Sequence, residues 1–205
     1  MKKPNVWFST VGRNLCFSGC MTAILLTTSI SYGIEFSSPT YGGSGGTSNY
    51  NLDCGRGSVL VGVQGKAGQW LDNLMAVCRQ IRTDGRLGTR FTRGPAGGSG
   101  GSVVSDPCPN GQVVGEVFAE TKFGFVSGII LGCDTWNSDL RQRRGRRSSD
   151  ATSILTPSGL SATALLADLS NNGTSCPSGV PGKALRGRNG IYVDSVRLVC
   201  DRWDQ

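Results

Sequence analysis

A segment of about 25 residues bounded by cysteines occurs three times in this chain, and that repetition limits the folds open to it. Cys54–Cys78 reads CGRGSVLVGVQGKAGQWLDNLMAVC, and Cys176–Cys200 reads CPSGVPGKALRGRNGIYVDSVRLVC. Laid over each other without a gap, Gly57, Gly65, Lys66, Gly68 and Asp72 fall on Gly179, Gly187, Arg188, Gly190 and Asp194. A looser copy, Cys108–Cys133, lies between them and is one residue longer. CDTW follows the middle copy and CDRW the last, so Trp136 and Trp203 are also matched. A chain that repeats a unit of this size buries its core by packing the copies together.

The period inside each copy is two. Ser58–Val63 and Val113–Phe118 are β-rich runs. Asp72, Leu74, Ala76 and Cys78 share one strand face, as do Ser127, Ile129, Leu131 and Cys133, and Asp194, Val196, Leu198 and Cys200. Three strands with a cysteine on the apolar face predict three equivalent sheets around a common core. Only residues 154–170 carry a partly helical pattern, and Pro157 and Gly159 weaken it, so the expected class is all-β. The pentapeptide GGSGG stands at Gly42–Gly46, 12 residues before Cys54, and again at Gly97–Gly101, 11 before Cys108. Matched placement makes these paired structural loops rather than flexible linkers; the last copy has only Asn171-Asn172-Gly173 there. The copies then span about 42–96, 97–165 and 166–205, in a single domain over 34–205.

Residues 1–33 stand apart. Lys2, Lys3 and Arg13 precede an apolar run from Leu15 to Ile30 and small residues at Ser31-Tyr32-Gly33, the pattern of a secretory signal peptide. A lipidated Cys20 in Phe17–Cys20 and a membrane anchor are the other readings of the same stretch; the run is shorter than the roughly 20 residues a span needs. With the signal removed, six cysteines remain in an exported chain, which predicts a disulfide framework outside the cytoplasm, secreted or periplasmic. The repeat selects the pairing Cys54–Cys78, Cys108–Cys133 and Cys176–Cys200. No metal or other cofactor is expected, because there is no His and no CxxC spacing. Taking the three leader bases from 21 leaves 18 against 14 acids, and this slight excess excludes a dedicated nucleic-acid binder.

Three β copies, a glycine loop and the motif G[KR]xGxx[LV]Dx[LV] resemble the β-prism folds of jacalin-related lectins. The disulfide-closed copies also resemble the vitelline-membrane outer-layer proteins, although the acidic signature of that family is missing. Either resemblance implies a three-fold pseudo-symmetric β-prism of Greek-key sheets, one disulfide per repeat. The lectin resemblance further implies sugar sites on GxxxD loops, where the aspartate accepts hydrogen bonds from hydroxyls and an aromatic neighbour packs on the ring. Gly68, Trp70 and Asp72 fit, as do Gly190, Tyr192 and Asp194; Ser127 replaces the aspartate in the middle copy. In such a fold Gly42, Gly43, Gly45 and Gly46 lie near one of these loops.

Each residue also has a plainer reading. The aspartates can cap the amides of the glycine turn before them, and Trp70 and Tyr192, on the same face by alternation, can be core. Trp136 and Trp203 read as core plugs or prism corners, Lys66 and Arg188 as solvated turn residues. Residues 140–150, LRQRRGRRSSD, form an exposed loop carrying Arg141, Arg143, Arg144, Arg146 and Arg147. That loop is solvated and idle, a site for acidic glycans, lipopolysaccharide or phosphates, or a protease processing site. Asn172-Gly173-Thr174 is a glycosylation sequon in a eukaryotic host. Enzyme chemistry lacks parts, since no His or unpaired mature cysteine remains. The expected function is therefore a secreted, non-enzymatic carbohydrate-binding or surface-interaction module whose partners are glycans or extracellular components. A structural coat protein, and an anionic-surface binder acting through the arginine loop, are the alternatives.

Overall fold

The structure, a computed structural model, describes residues 35–143, 151–155 and 174–201. Residues 1–34, where the signal peptide and a lipidated Cys20 are expected, lie outside the described residues, as do Trp203, Asn172-Gly173, Arg144, Arg146 and Arg147. Among the described residues every regular element is a strand, and no helix is long and apolar enough to cross a membrane.

Among the described residues fourteen strands form three sheets. The first hairpin pairs β4 (Ser58–Ala67) with β5 (Leu71–Ile81); β6 (Leu87–Gly97) adds beside β5, and β7 (Ser102–Pro107) returns beside β4. Spatial order β7-β4-β5-β6 is that of a Greek key. The second sheet repeats it: β8 (Gln112–Lys122) pairs β9 (Phe125–Asn137), with β10 (Gln142–Arg143) and β11 (Ala151–Leu155) beside β9 and β12 (Thr174–Ser175) beside β8. The third is built from both ends of the chain. Its hairpin is β13 (Gly182–Asn189) and β14 (Val193–Cys200). Its outer strands are β1 (Phe36–Ser37) and β2 (Tyr41–Gly42) beside β14, and β3 (Ser48–Asp53) beside β13. The third Greek key is thus cut open between its second and third strands, and the N-terminal segment completes it. Sequence copies begin at the glycine loop, whereas sheets begin at the hairpin, so the two divisions of the chain are out of phase.

The predicted inner faces pack as one core. Leu74, Ala76 and Cys78, Ile129, Leu131 and Cys133, and Val196, Leu198 and Cys200 all belong to a single buried cluster, with Leu60, Val63, Val114, Val117 and Leu185 from the partner strands. Trp136 plugs a second, smaller cluster on Val59, Val61, Val77, Ile81 and Val113, and its indole N–H donates to Gly85 O at 2.9 Å. Such a buried tryptophan needs that partner for its one polar group.

Each hairpin carries the same β-bulge, an extra residue on the first strand opposite the second cysteine: Val61, Gly115 and Lys183. The carbonyl freed at each bulge accepts an N–H from the first cysteine of a copy. Cys108 N donates to Val61 O and Cys176 N to Gly115 O, each at 2.8 Å, and Cys54 N donates to Lys183 O at 3.1 Å. The three predicted disulfides form, with Cα–Cα distances of 5.5, 5.7 and 5.6 Å. Their placement adds something the pairing alone does not convey. Cys54 follows β3 of the third sheet yet bonds β5 of the first; Cys108 follows β7 of the first and bonds β9 of the second; Cys176 follows β12 of the second and bonds β14 of the third. Every disulfide is an inter-sheet staple, and together they close a cycle.

Candidate functional site

The GxxxD turns and the glycine pentapeptides meet in two matched assemblies. In the third sheet, Gly190–Tyr192 connects β13 to β14, and Asp194 is the second residue of β14. The Gly42–Gly46 loop lies directly on it: a Cβ on Gly45 would stand 2.6 Å from Asp194 Oδ1, and one on Gly46 2.6 Å from Oδ2. Gly43 N donates to Asp194 O at 3.0 Å. In the first sheet, Gly68–Trp70 connects β4 to β5, and Asp72 is again second in its strand. There a Cβ on Gly100 would stand 2.4 Å from Asp72 Oδ1, and one on Gly101 2.5 Å from Oδ2. Gly98 N donates to Asp72 O at 2.8 Å. Only glycine lets a backbone approach a carboxylate this closely, which is why the pentapeptide recurs where it does.

A matched cation fastens each glycine loop. Arg188, at the end of β13, donates from Nε to Gly45 O at 2.7 Å and from Nη2 to Gly46 O at 2.9 Å. Lys66, its counterpart on β4, donates from Nζ to Ser99 O at 3.0 Å. The expectation of two solvated turn residues is corrected here: both sit in strands and donate to backbone carbonyls of a glycine-rich loop. Their identity across copies was the available signal.

Both aspartates are buried, Asp72 at 8% exposure and Asp194 at 3%. Burial raises the Asp194 carboxyl above its ordinary range, while the Gly190 N–H and the charge of Arg188 pull it back. Asp194 Oδ2 has no hydrogen-bond partner among the described residues. A buried carboxylate oxygen without a donor is costly, so this atom is set up to accept one.

The aromatic pair does not follow strict alternation. Trp70 and Tyr192 lie in the turns, before β5 and β14 begin, and are half-buried rather than core. They flank the middle hairpin, where Phe125 at the start of β9 lies 5.7 Å from Trp70 and 5.5 Å from Tyr192, ring centre to ring centre, and Phe123 in the turn stands 5.9 Å from Trp70. Three hairpin turns therefore converge on one aromatic cluster, edged by exposed Phe123 and Ile191. Phe125, two residues before Ser127, matches Trp70 and Tyr192, two before Asp72 and Asp194, so the alignment of the copies carries a signal for it; Phe123 stands where the other turns have Gly68 and Gly190 and has no aromatic counterpart.

The middle copy differs in chemistry as predicted from Ser127. Glu120 occupies the register position of Lys66 and Arg188, and Ser127 Oγ donates to Glu120 Oε2 at 2.8 Å. The acid has moved to the cation's place. Its own glycine-loop counterpart, at 171–173, falls outside the described residues.

Of the arginine loop, Arg141 is half-buried, not free: it has a positive φ of 47° and donates from Nη2 to Thr83 O at 2.7 Å. Arg143 lies in β10, and the rest of the loop is outside the described residues. Among the described residues no group of three or more His, Cys, Asp or Glu is placed to hold a metal.

No family model and no curated protein sequence matches this chain. Among solved structures it resembles jacalin-related lectins. Calsepa lectin in complex with a biantennary N-glycan aligns over 83% of this chain and 98% of its own, at 12% identity and a TM-score of 0.50. Malaysian banana lectin aligns over 80% and 96%, at 18% identity and a TM-score of 0.48. Single-chain recombinant jacalin aligns over 86% and 99%, at 12% identity and a TM-score of 0.49. The likeness is one of fold, a jacalin-like β-prism.

Proposed function

We propose that this chain is an exported, non-enzymatic carbohydrate-binding protein with two sites, one at each glycine-loop and GxxxD pair. The observation that carries the reading is the matched assembly itself: two aspartates, Asp72 and Asp194, each beneath a GGSGG loop held by a cation. In this reading a sugar enters between the turn and the glycine loop, its hydroxyls donate to the carboxylate, and backbone amides of the turn approach it. Trp70 and Tyr192 offer ring faces at the entrances. The jacalin-like fold supports glycans as the first ligands to try, and a fold-mate solved with a biantennary N-glycan supplies a probe. Two sites on one rigid scaffold suit weak, multivalent attachment to glycan-bearing surfaces. Three disulfides agree with an oxidising compartment.

One observation favours a second reading, a structural coat or matrix protein. The depth of burial of Asp72 and Asp194 fits turn capping, with Gly190 supplying an amide to the carboxylate. A glycan array at physiological salt separates the two. Discrete binders that disappear in folded Asp72→Asn and Asp194→Asn variants support the lectin reading, whereas a blank array leaves the structural one. Binding confined to anionic glycans, and lost when residues 141–147 are neutralised, would instead support attachment through the arginine loop.

A further inference from the structure

The outer face of the third sheet carries a cluster of cations, of which Arg188 also fastens a glycine loop and Arg186 and Arg197 do not. Arg186 and Arg188 alternate along β13, and Arg197 on β14 stands directly opposite Arg186 in the register. Like charges directly across a sheet repel, so this placement costs stability. Arg197 has no ion pair or hydrogen bond among the described residues to offset it. These residues line a groove of about 660 Å³, with Asn49 and Asn51 from β3 and the Gly42–Ser44 backbone along its other walls. One acid reaches it. Glu35 lies in the fork of Arg186, with Oε1 on Nη1 and Oε2 2.9 Å from Nη2. A carboxylate seated in a planar two-pronged guanidinium shows the geometry the face offers to an oxyanion.

We propose that this groove binds a saccharide bearing carboxylate or sulfate groups. Arg197 and Arg186 take the oxyanion, the latter after exchanging Glu35 for the ligand, and the side-chain amides of Asn49 and Asn51 take neighbouring hydroxyls. Arg188 is already committed to Gly45 and Gly46 and contributes charge rather than a free fork. The face differs from the arginine loop at 141–147 in residues and sheet. That the ligand is a saccharide rests on the carbohydrate reading above; that the groove takes an oxyanion rests on the arginines alone.

The test titrates purified, oxidised protein by calorimetry with a heparin-derived hexasaccharide, its desulfated form, an oligogalacturonate and inorganic sulfate. The sulfated hexasaccharide, the oligogalacturonate or both should bind, with affinity falling as salt rises, and the desulfated form should bind at least tenfold more weakly. Preference between the first two decides sulfate against carboxylate. Arg197→Gln should weaken binding about tenfold and Arg186→Gln/Arg197→Gln about a hundredfold, in line with the loss of charge-assisted hydrogen bonds. Glu35→Gln should tighten it severalfold by vacating the Arg186 fork, an effect that a merely structural role for these residues does not produce. Unchanged binding in the folded double arginine variant, or equal binding of the desulfated form, overturns the assignment. Neutral glycans binding while every anionic probe fails overturns it and leaves the carbohydrate reading standing. Inorganic sulfate binding as tightly as the hexasaccharide refutes the saccharide part.

Discussion

The first and third hairpins differ in charge from the middle one at two matched positions, and that difference separates what the scaffold needs from what the sites need. All three hairpins share the bulge, the staple and the inward strand of alternating apolar residues. Two of them place an aspartate at the start of the second strand and a cation at the end of the first; the middle one places Ser127 and Glu120 there and closes them on each other. A feature required by the fold would recur in all three. The aspartate, the cation and the close-packed glycine loop recur together as a set in two, as parts of one device.

The comparison breaks first, and with the largest effect, at the staples. Each closes a loop of 24 or 25 residues, so removing any one pair by Cys→Ser should cost about 3 to 4 kcal/mol on the chain-entropy account. Denaturant unfolding of the three double variants should give similar losses; one cheap pair would show that the copies are not mechanically equivalent. Glycine substitutions come next. Gly101→Ala drives a Cβ to 2.5 Å from Asp72 Oδ2 and 2.6 Å from the Ala67 backbone at a φ of 72°, which should cost about 3 kcal/mol or more. Gly124→Ala in the middle turn meets nothing within 4 Å and pays only its φ of 84°, roughly 1 to 2 kcal/mol. Equal costs for the two would contradict the close approach.

A smaller effect sharpens the chemistry. Ser127→Asp sets a second carboxylate against Glu120 and should destabilise by about 1 to 2 kcal/mol, since like charges at contact distance disfavour each other. Adding Glu120→Lys to that variant recreates the arrangement of the other hairpins and should restore most of the loss. The smallest effect concerns Asp194, whose carboxyl is raised by burial. Its folded form therefore holds a proton more tightly than its unfolded form, so the charged state costs stability at neutral pH and the cost disappears as pH falls through the raised value. Asp194→Asn should be neutral or stabilising by under about 1 kcal/mol at pH 7, with the advantage shrinking in acid. A clear loss of stability at pH 7 would make Asp194 a structural cap.

Much of this is legible in the sequence. The repeat selects the three bonds, alternation gives the inward faces, and the lectin resemblance implies that Gly42, Gly43, Gly45 and Gly46 lie near a GxxxD loop. What escaped had a common cause: alternation says which face a side chain takes, not which strand lies alongside. Hence Cys54–Cys78 looked like a clasp within one copy, although it joins two sheets. Lys66 and Arg188 looked solvated because their acceptors are loop carbonyls 33 and about 140 residues away in sequence. The pairing of Arg186 with Arg197 required the β13–β14 register. Trp70 and Tyr192 were placed by a strand rule in residues that are turns.

The most direct test of the account is the number of glycan sites counted by calorimetry, using a neutral oligosaccharide taken from the array. Two equivalents should bind the unaltered protein, one should bind Asp72→Asn and one Asp194→Asn, and none should bind the double variant while its unfolding transition stays in place. Full binding by the folded double variant would contradict the claim that the glycine-loop aspartates are the sites.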